Sequence, residues 1–406
     1  METTEIFTQA LNLPEPWYVE KVEFEQCSGG KRELIISIDF KKGWRFAIGD
    51  SEGRVAHDTV ERTWRHLNFF EHECYIKARV PRIKTGEHSI EQVTVPWARP
   101  GSGFTMLFEA YAMLLIEKEM PVSDVAETMT VTAPRIWRVF TWWIMQAIGN
   151  IGLSGLRRVG VDETSYKKGH KYITQFVDLD TRRTIFVTDG KGSDVFGLFV
   201  EFLIQHGGQP GNIQLVSMDM SSPFILGCRN CLPAAEIVFD HFHVVKLCNE
   251  ALDEVRKGLR ATHPFSSHER YTLLSRNENI DIAQQFVLAD ITEGCQDVGM
   301  AYLLKESFAD LYSVKSPDAA EGYLAFWCDQ ALDSGLKPFR KMVDTIRRHW
   351  DGIVAFFRHN VSNGILEGIN SKIQLAKRRA RGFSNIDNFI HMVYLIAGKL
   401  DVSYPH

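Results

Sequence analysis

The chain has 406 residues, 45% of them hydrophobic and 24% charged. At about 100–200 residues per domain this length predicts two to four domains, and the ordinary composition excludes a fibrous or mostly disordered chain. A net charge of −5 excludes binding of nucleic acid by bulk charge and leaves that role to local patches.

The start, Met1 to Phe7, lacks the basic and apolar regions of a signal peptide. No uncharged apolar run of about 18 residues is present to span a membrane, so no membrane partner is expected. Seven scattered cysteines predict reduced thiols in a cytoplasmic compartment. The first 45 residues combine a helix-like start with an alternating, isoleucine-rich run from Glu33 to Phe40 that predicts a strand. Alternating segments such as Cys74–Val80 follow, so 1–99 reads as a small β-rich module.

Pro100-Gly101-Ser102-Gly103 then punctuates the chain. Helices are predicted over Phe104–Lys118, over Pro121–Met129 and, after Thr130-Val131-Thr132, to about Ile148 with Pro134 in the first turn. The 100–150 segment therefore has helix-turn-helix proportions, with Arg135 and Arg138 on the helix that would read a major groove. An ordinary helical hairpin is the alternative.

Strands are predicted over 158–165, 172–178, 184–188, 213–219 and 236–240, with a helix over 194–205 between the third and fourth. That order is a mixed sheet in an α/β fold. Residues 244–358 read almost wholly as helix, followed by helices over 361–379 and 385–399.

Three carboxylates stand out. Asp162 lies in the first of these strands, where Glu163 must point to the opposite face. Asp219 ends the fourth, and strand ends of open α/β sheets often carry active-site groups. Glu367 would share a polar helix stripe with Asn363, Asn370, Ser371, Gln374 and Arg378, opposite Leu366, Ile369 and Ile373. The alternatives are strand-end acids paired with lysines or capping helices, and a solvated amphipathic helix. Beside Glu367 lies a basic cluster, Lys372, Lys377, Arg378, Arg379 and Arg381, suited to DNA phosphates or to a solvated face. Three acids suit two hard cations, Mg²⁺ or Mn²⁺, that clamp the oxygens of a phosphoryl displacement. Asp240 and His243 are either a helix cap and its neighbour or a pair that contacts the scissile phosphate or protonates a leaving oxygen. Cys228-Arg229-Asn230-Cys231 has metal-like spacing, but two incidental thiols on a helix is the reading favoured, since no second close pair completes a site.

Taken in order, a set of short motifs resembles the ISL-three family of bacterial insertion-sequence transposases over essentially the whole chain. They are Thr63-Trp64-Arg65-His66-Leu67, Ala78-Arg79-Val80-Pro81-Arg82, Val95-Pro96-Trp97-Ala98-Arg99-Pro100-Gly101-Ser102, Gly160-Val161-Asp162-Glu163 and Lys168-Gly169-His170-Lys171-Tyr172. Ser217-Met218-Asp219-Met220-Ser221, Phe239-Asp240-His241-Phe242-His243-Val244, Asn363 through Ile373, and Arg381-Gly382-Phe383 follow. The resemblance implies a ribonuclease H-like core in two parts (157–243 and 359–406) around an α-helical insertion (244–358). It makes Asp162, Asp219 and Glu367 the acidic triad. The implied activity is metal-dependent cleavage at transposon ends, then attack of the 3′-hydroxyl on target DNA. The partners implied are double-stranded terminal inverted repeats, target DNA and a second copy of the chain in a homodimer. A DNA-binding regulator with a vestigial core and another ribonuclease H-like nuclease, such as a junction resolvase, are the rival functions. One departure concerns zinc. Family members carry paired cysteines near the N-terminus, whereas Phe46-Ala47-Ile48-Gly49-Asp50 and Lys84-Thr85-Gly86-Glu87-His88 stand here, leaving His88 alone. Structural zinc is therefore not expected, and packing by Trp44, Phe46, Trp64, Phe69 and Trp97 is expected to hold the module instead.

Overall fold

The computed structural model describes residues 3–26, 30–47, 53–85, 89–167, 169, 171–361, 364–402 and 404. Ile48, Gly49, Asp50, Gly86, Glu87, His88, Lys168, His170 and Asn363 lie outside the described residues. The fold is mixed α/β, in two compact units: Met1–Ala147 with Asp401–His406, and Ile148–Leu400.

The first unit opens with α1 (Thr3–Ala10), then β1 (Trp17–Gln26), β2 (Arg32–Phe40), the short β3 (Arg45–Phe46) and β4 (Arg54–Val55), β5 (Asp58–Phe69), β6 (His72–Lys84) and β7 (Ile90–Gln92). Its main sheet has the order β1-β2-β6-β5, with β7 on β6, and β2 runs parallel to β6. Period-two alternation puts Leu34, Ile36 and Ile38 of β2 beside Cys74, Ile76, Ala78 and Val80 of β6 in one core. Trp97 packs edge-on against both Trp17 and Trp64, at 5.0 and 5.5 Å. Trp17 and Phe40 thus fill the role expected of Trp44 and Phe69, which lie at the rim, each 37% exposed.

Three helices complete this unit: α2 (Met106–Glu117), α3 (Val122–Thr128) and α4 (Ala133–Gly149). Thr105 caps α2, accepting from the Phe108 N–H. Fully buried Glu109 accepts from the Arg99 guanidinium at 2.8 Å, the Ser102 hydroxyl at 2.6 Å and the Trp143 indole at 2.9 Å. A buried carboxylate is tolerated only with such partners, and this one ties the 99–102 turn to α2 and α4.

The second unit is built on a sheet of order β10-β9-β8-β11-β12: β8 (Arg158–Lys167), β9 (Lys171–Asp178), β10 (Arg183–Asp189), β11 (Leu215–Met218) and β12 (Glu236–Phe239). The first three pair antiparallel, whereas β11 runs parallel to both β8 and β12. Between β10 and β11 lies α5 (Val195–Gln205), whose Phe199 stacks on Phe176 of β9 at 4.3 Å. Between β11 and β12 lies α6 (Ser222–Cys231), carrying buried Cys228 and half-buried Cys231. The helical run begins at His241: α7 (His241–Gly258), α8 (Ser267–Leu274), α9 (Ile282–Gly294), α10 (Gln296–Asp310), α11 (Pro317–Asp333), α12 (Lys337–Arg348) and α13 (Trp350–His359). Gly352 lets α13 approach the sheet edge, since a Cβ there would lie 2.5 Å from the Phe239 ring. Last come α14 (Gly364–Arg379) and α15 (Ile386–Ala397), the latter held to β10 by the Tyr394 hydroxyl, which accepts from the Val187 N–H at 3.1 Å.

Candidate active site

Strand register brings three acids into a row. Ser217 of β11 pairs with Gly160 of β8, and Met218 pairs with Phe239 of β12. Continued in step, Asp219 falls beside Asp162 on one side and Asp240 on the other. Neighbouring strands are about 4.8 Å apart, so the three backbones are close. The Asp240 N–H also donates to the Met218 carbonyl at 2.9 Å. Both Asp219 and Asp240 sit where parallel strands end and backbone turns toward a helix. One Asp219 oxygen accepts from the Ser221 N–H, and one Asp240 oxygen accepts from the Phe242 N–H, capping α7.

From above, α14 closes over β8. Gly160 leaves room for Leu366, whose methyls would lie 3.1–3.2 Å from a Cβ at that position. One turn on, the Asn370 side-chain oxygen accepts from Thr164 (2.6 Å) and Gln175 (2.7 Å), while its nitrogen donates to Asp162. Two donors on one atom fix the amide orientation, so the group facing Asp162 is the NH₂. Gln374 and Lys377 both donate to the Ser165 carbonyl. Thus Asn370 and Gln374, read from the sequence as members of a polar stripe, bridge helix to sheet.

Burial pushes the Asp162 carboxyl up to about 6, helped by the charge of Asp219 and opposed by the Glu163 N–H, His243 and Asn370. His243 moves up too, because its Nδ1 is hydrogen-bonded to Asp240 at 3.2 Å and because Asp240, Asp219 and Asp162 surround it with negative charge. With Nδ1 so engaged, Nε2 is the ring atom left for other chemistry. Asp162, Asp240, His243, Glu367 and Arg378 all line one cavity of about 620 Å³, walled by α7 and α14. Glu367 is exposed and three residues from Asn370. Among the described residues, no three His, Cys, Asp or Glu side chains already converge as a metal-holding group.

The predicted basic residues fare differently. Arg378 lines the acid cavity, whereas the Lys377 ammonium sits on the Ser165 carbonyl at 2.7 Å. Lys372, Arg379 and Arg381 are exposed, Arg381 with a left-handed backbone (φ 53°) beyond the end of α14. In the first unit, Arg138 is exposed on α4, while the Arg135 guanidinium stacks over Phe104 at 4.2 Å. Sequence reasoning missed Phe242, Lys246 and Asn249, which line the cavity from α7, and Thr164 and Gln175 beneath Asn370. For the α7 residues a signal was present: with Asp240 as cap, 242, 246 and 249 fall on one helix face.

Comparison with known proteins identifies the family. A transposase family model of the ISL3 DDE type matches residues 159–393, more than half of the chain. The chain belongs to the ISL3 transposases. A helix-turn-helix domain of transposase family ISL3 matches 93–142, which implies DNA binding. Two relatives span nearly the whole chain. The transposase for insertion sequence element IS1557 of Mycobacterium tuberculosis is 27% identical over 97% of this chain and 96% of its own length. That for IS1001 of Bordetella parapertussis is 30% identical over 91% and 93%. No described helix is long and apolar enough to cross a membrane.

A third match corrects an expectation. The zinc-finger of transposase IS204/IS1001/IS1096/IS1165 matches residues 52–84, which overturns the expectation that structural zinc has no place in this ISL3 chain. That expectation counted cysteines at 46–50 and 84–88, whereas the match covers the β5–β6 hairpin between them. Within it, Cys74 is buried in the sheet core, His66 shares a hydrogen bond with Thr105, and His72 bonds the Arg32 carbonyl.

Proposed function

We propose that this transposase binds the terminal inverted repeats of its insertion sequence and catalyses metal-dependent strand cleavage and strand transfer, with Asp162, Asp219 and Glu367 as its acidic triad in a ribonuclease H-like core. Three antiparallel strands flanked by two parallel ones support that core. The relatives' names, transposases for insertion sequence elements, support the substrate. The observation that carries the reading is the register that aligns Asp162, within β8, with Asp219 at the end of the adjacent β11.

The donor set fits a hard cation, because every acid offers oxygen and, among the described residues, no cationic side chain is bonded to the half-buried Asp162 carboxylate. Two Mg²⁺ or Mn²⁺ ions would be held by Asp162, Asp219 and Glu367 and would supply charge neutralisation at the phosphate and activation of the nucleophile. The residues do the rest. Asn370 holds the Asp162 carboxylate in one rotamer. Asp240 orients His243, whose Nε2–H contacts the scissile phosphate or gives its proton to the leaving oxygen. Arg378, Lys372, Arg379 and Arg381 meet flanking phosphates. Arg138 and the start of α4 enter a major groove, and two copies of the chain pair the two ends.

Incubation of an end-bearing duplex with Mg²⁺ or Mn²⁺ tests the proposal. Asp162→Asn, Asp219→Asn and Glu367→Gln should each abolish cutting and leave end binding intact. Wild-type-like cutting by any of them removes that residue from the triad. Specific binding with no metal-dependent nicking by the wild type would instead make the protein a regulator with a vestigial core.

A further inference from the structure

The cavity over Asp162 has walls of a particular kind. From α7 come Phe242, Lys246 and Asn249, at i, i+4 and i+7 on one helix face; from α14 come Glu367, Ser371 and Arg378. Phe242 is 57% exposed, an aromatic ring left in water at a cavity that also holds Lys246 and Arg378. It is not loosely held: the Asp240 cap binds its N–H at 3.0 Å, and its ring packs at 5.2 Å against that of His241. Lys246 has one loose ion pair, with Glu250 at 3.8 Å, and Arg378 has none among the described residues. A cavity of about 620 Å³ has the size of a small-molecule site. That volume has room for a nucleotide of one strand.

An exposed aromatic face flanked by cations is the chemistry of single-strand recognition, in which bases stack and phosphates are neutralised. We propose that this groove seats one unpaired DNA strand, with the nucleotide beside the scissile phosphate stacked on Phe242 and its phosphates on Lys246 and Arg378. The protein therefore opens the terminal base pairs of the end it cuts. The inference rests on the nuclease reading above and names the form in which that substrate enters.

Permanganate oxidation of unpaired thymines tests it without requiring cleavage. Full-length protein is bound to an end-bearing duplex in Ca²⁺, and thymine reactivity near the cut is read. Wild type and Asp162→Asn should both raise that reactivity about tenfold over free duplex. Phe242→Ala should abolish the rise while binding the duplex within about twofold, and Phe242→Trp should restore it. With Mg²⁺, Phe242→Ala should cut a paired end at least tenfold more slowly than wild type, and an end carrying terminal mismatches nearly as fast. Absence of permanganate reactivity with wild type, or its persistence in Phe242→Ala, overturns the proposal. Opening without any cutting would sink the nuclease reading and leave the strand seat standing.

Discussion

Replacing Asp162 with Asn should stabilise the metal-free protein at neutral pH. In the folded chain burial holds the Asp162 carboxyl near 6, against roughly 3.9 for an ordinary aspartate. Each tenfold change in proton affinity is worth about 1.4 kcal/mol, so carrying this charge into its buried position costs about 3 kcal/mol once it is fully ionised. The sign follows from proton uptake. The folded state holds this proton more tightly than the unfolded state, so stability is lost as pH rises from the unfolded pKa through the folded one, and the loss is complete above it. Asparagine carries no charge and escapes that cost, but its amide cannot accept from both Asn370 and the Glu163 N–H, which forfeits about 1 kcal/mol. The net gain is about 2 kcal/mol, or roughly 4–8 °C in Tm for a unit of this size. Calorimetry of wild type and Asp162→Asn across a pH series, with chelator present, measures it. The Tm difference should slightly favour the wild type near pH 4, reverse and grow toward pH 6 to 7 and then level. A difference that is flat with pH, or that favours the wild type at neutral pH, would refute the claim that Asp162 is held against its own charge.

Three other outcomes follow from the geometry. Glu109→Ala should destabilise the first unit by about 3–5 kcal/mol, because it strands Arg99 and the Trp143 indole around a vacated charge; Glu109→Gln should cost less, and chemical denaturation separates the two. Cleavage should fall as pH rises through the raised pKa of His243, since the charged imidazolium exists only below it; single-turnover rates against pH should show that descending limb in wild type and none in His243→Ala. Arg138→Ala should weaken DNA binding and reduce its salt slope by about 1, whereas Arg135→Ala should act chiefly on stability by uncovering Phe104; equal loss of affinity in both variants would count against the assignment.

The elements themselves are legible wherever one face is buried and the other wet. Alternation in Glu33–Phe40 and Cys74–Val80 finds β2 and β6, and the punctuation at 100–103 and 130–132 finds the helices of the 93–142 segment. The aromatic core is only half legible: Trp17 reaches Trp97 across the sheet, and no local pattern predicts a contact between residues so far apart. Asn370 is obscured for a related reason. Its polarity suggests solvent, yet the hydroxyl and amide that satisfy it come from Thr164 and Gln175, on strands remote in sequence. Polar residues facing a sheet look like surface until their partners are known.

What the sequence could not carry was the direction of β11. Had it run antiparallel to β8, its last residue would lie at the far end of the sheet from Asp162. Because it runs parallel, Asp219 and Asp162 meet, and the parallel β12 adds Asp240 in the same row. The same fact explains where the long helical segment enters. It begins at His241, where the chain leaves β12, and returns through α13, which packs on β12, to deliver α14 across the same edge. Glu367 is far from Asp162 in sequence and lines the same cavity because the excursion starts and finishes at that edge of the sheet. On this geometry, residues at the start of α7 share the cavity with Glu367, so substitutions there should alter cutting.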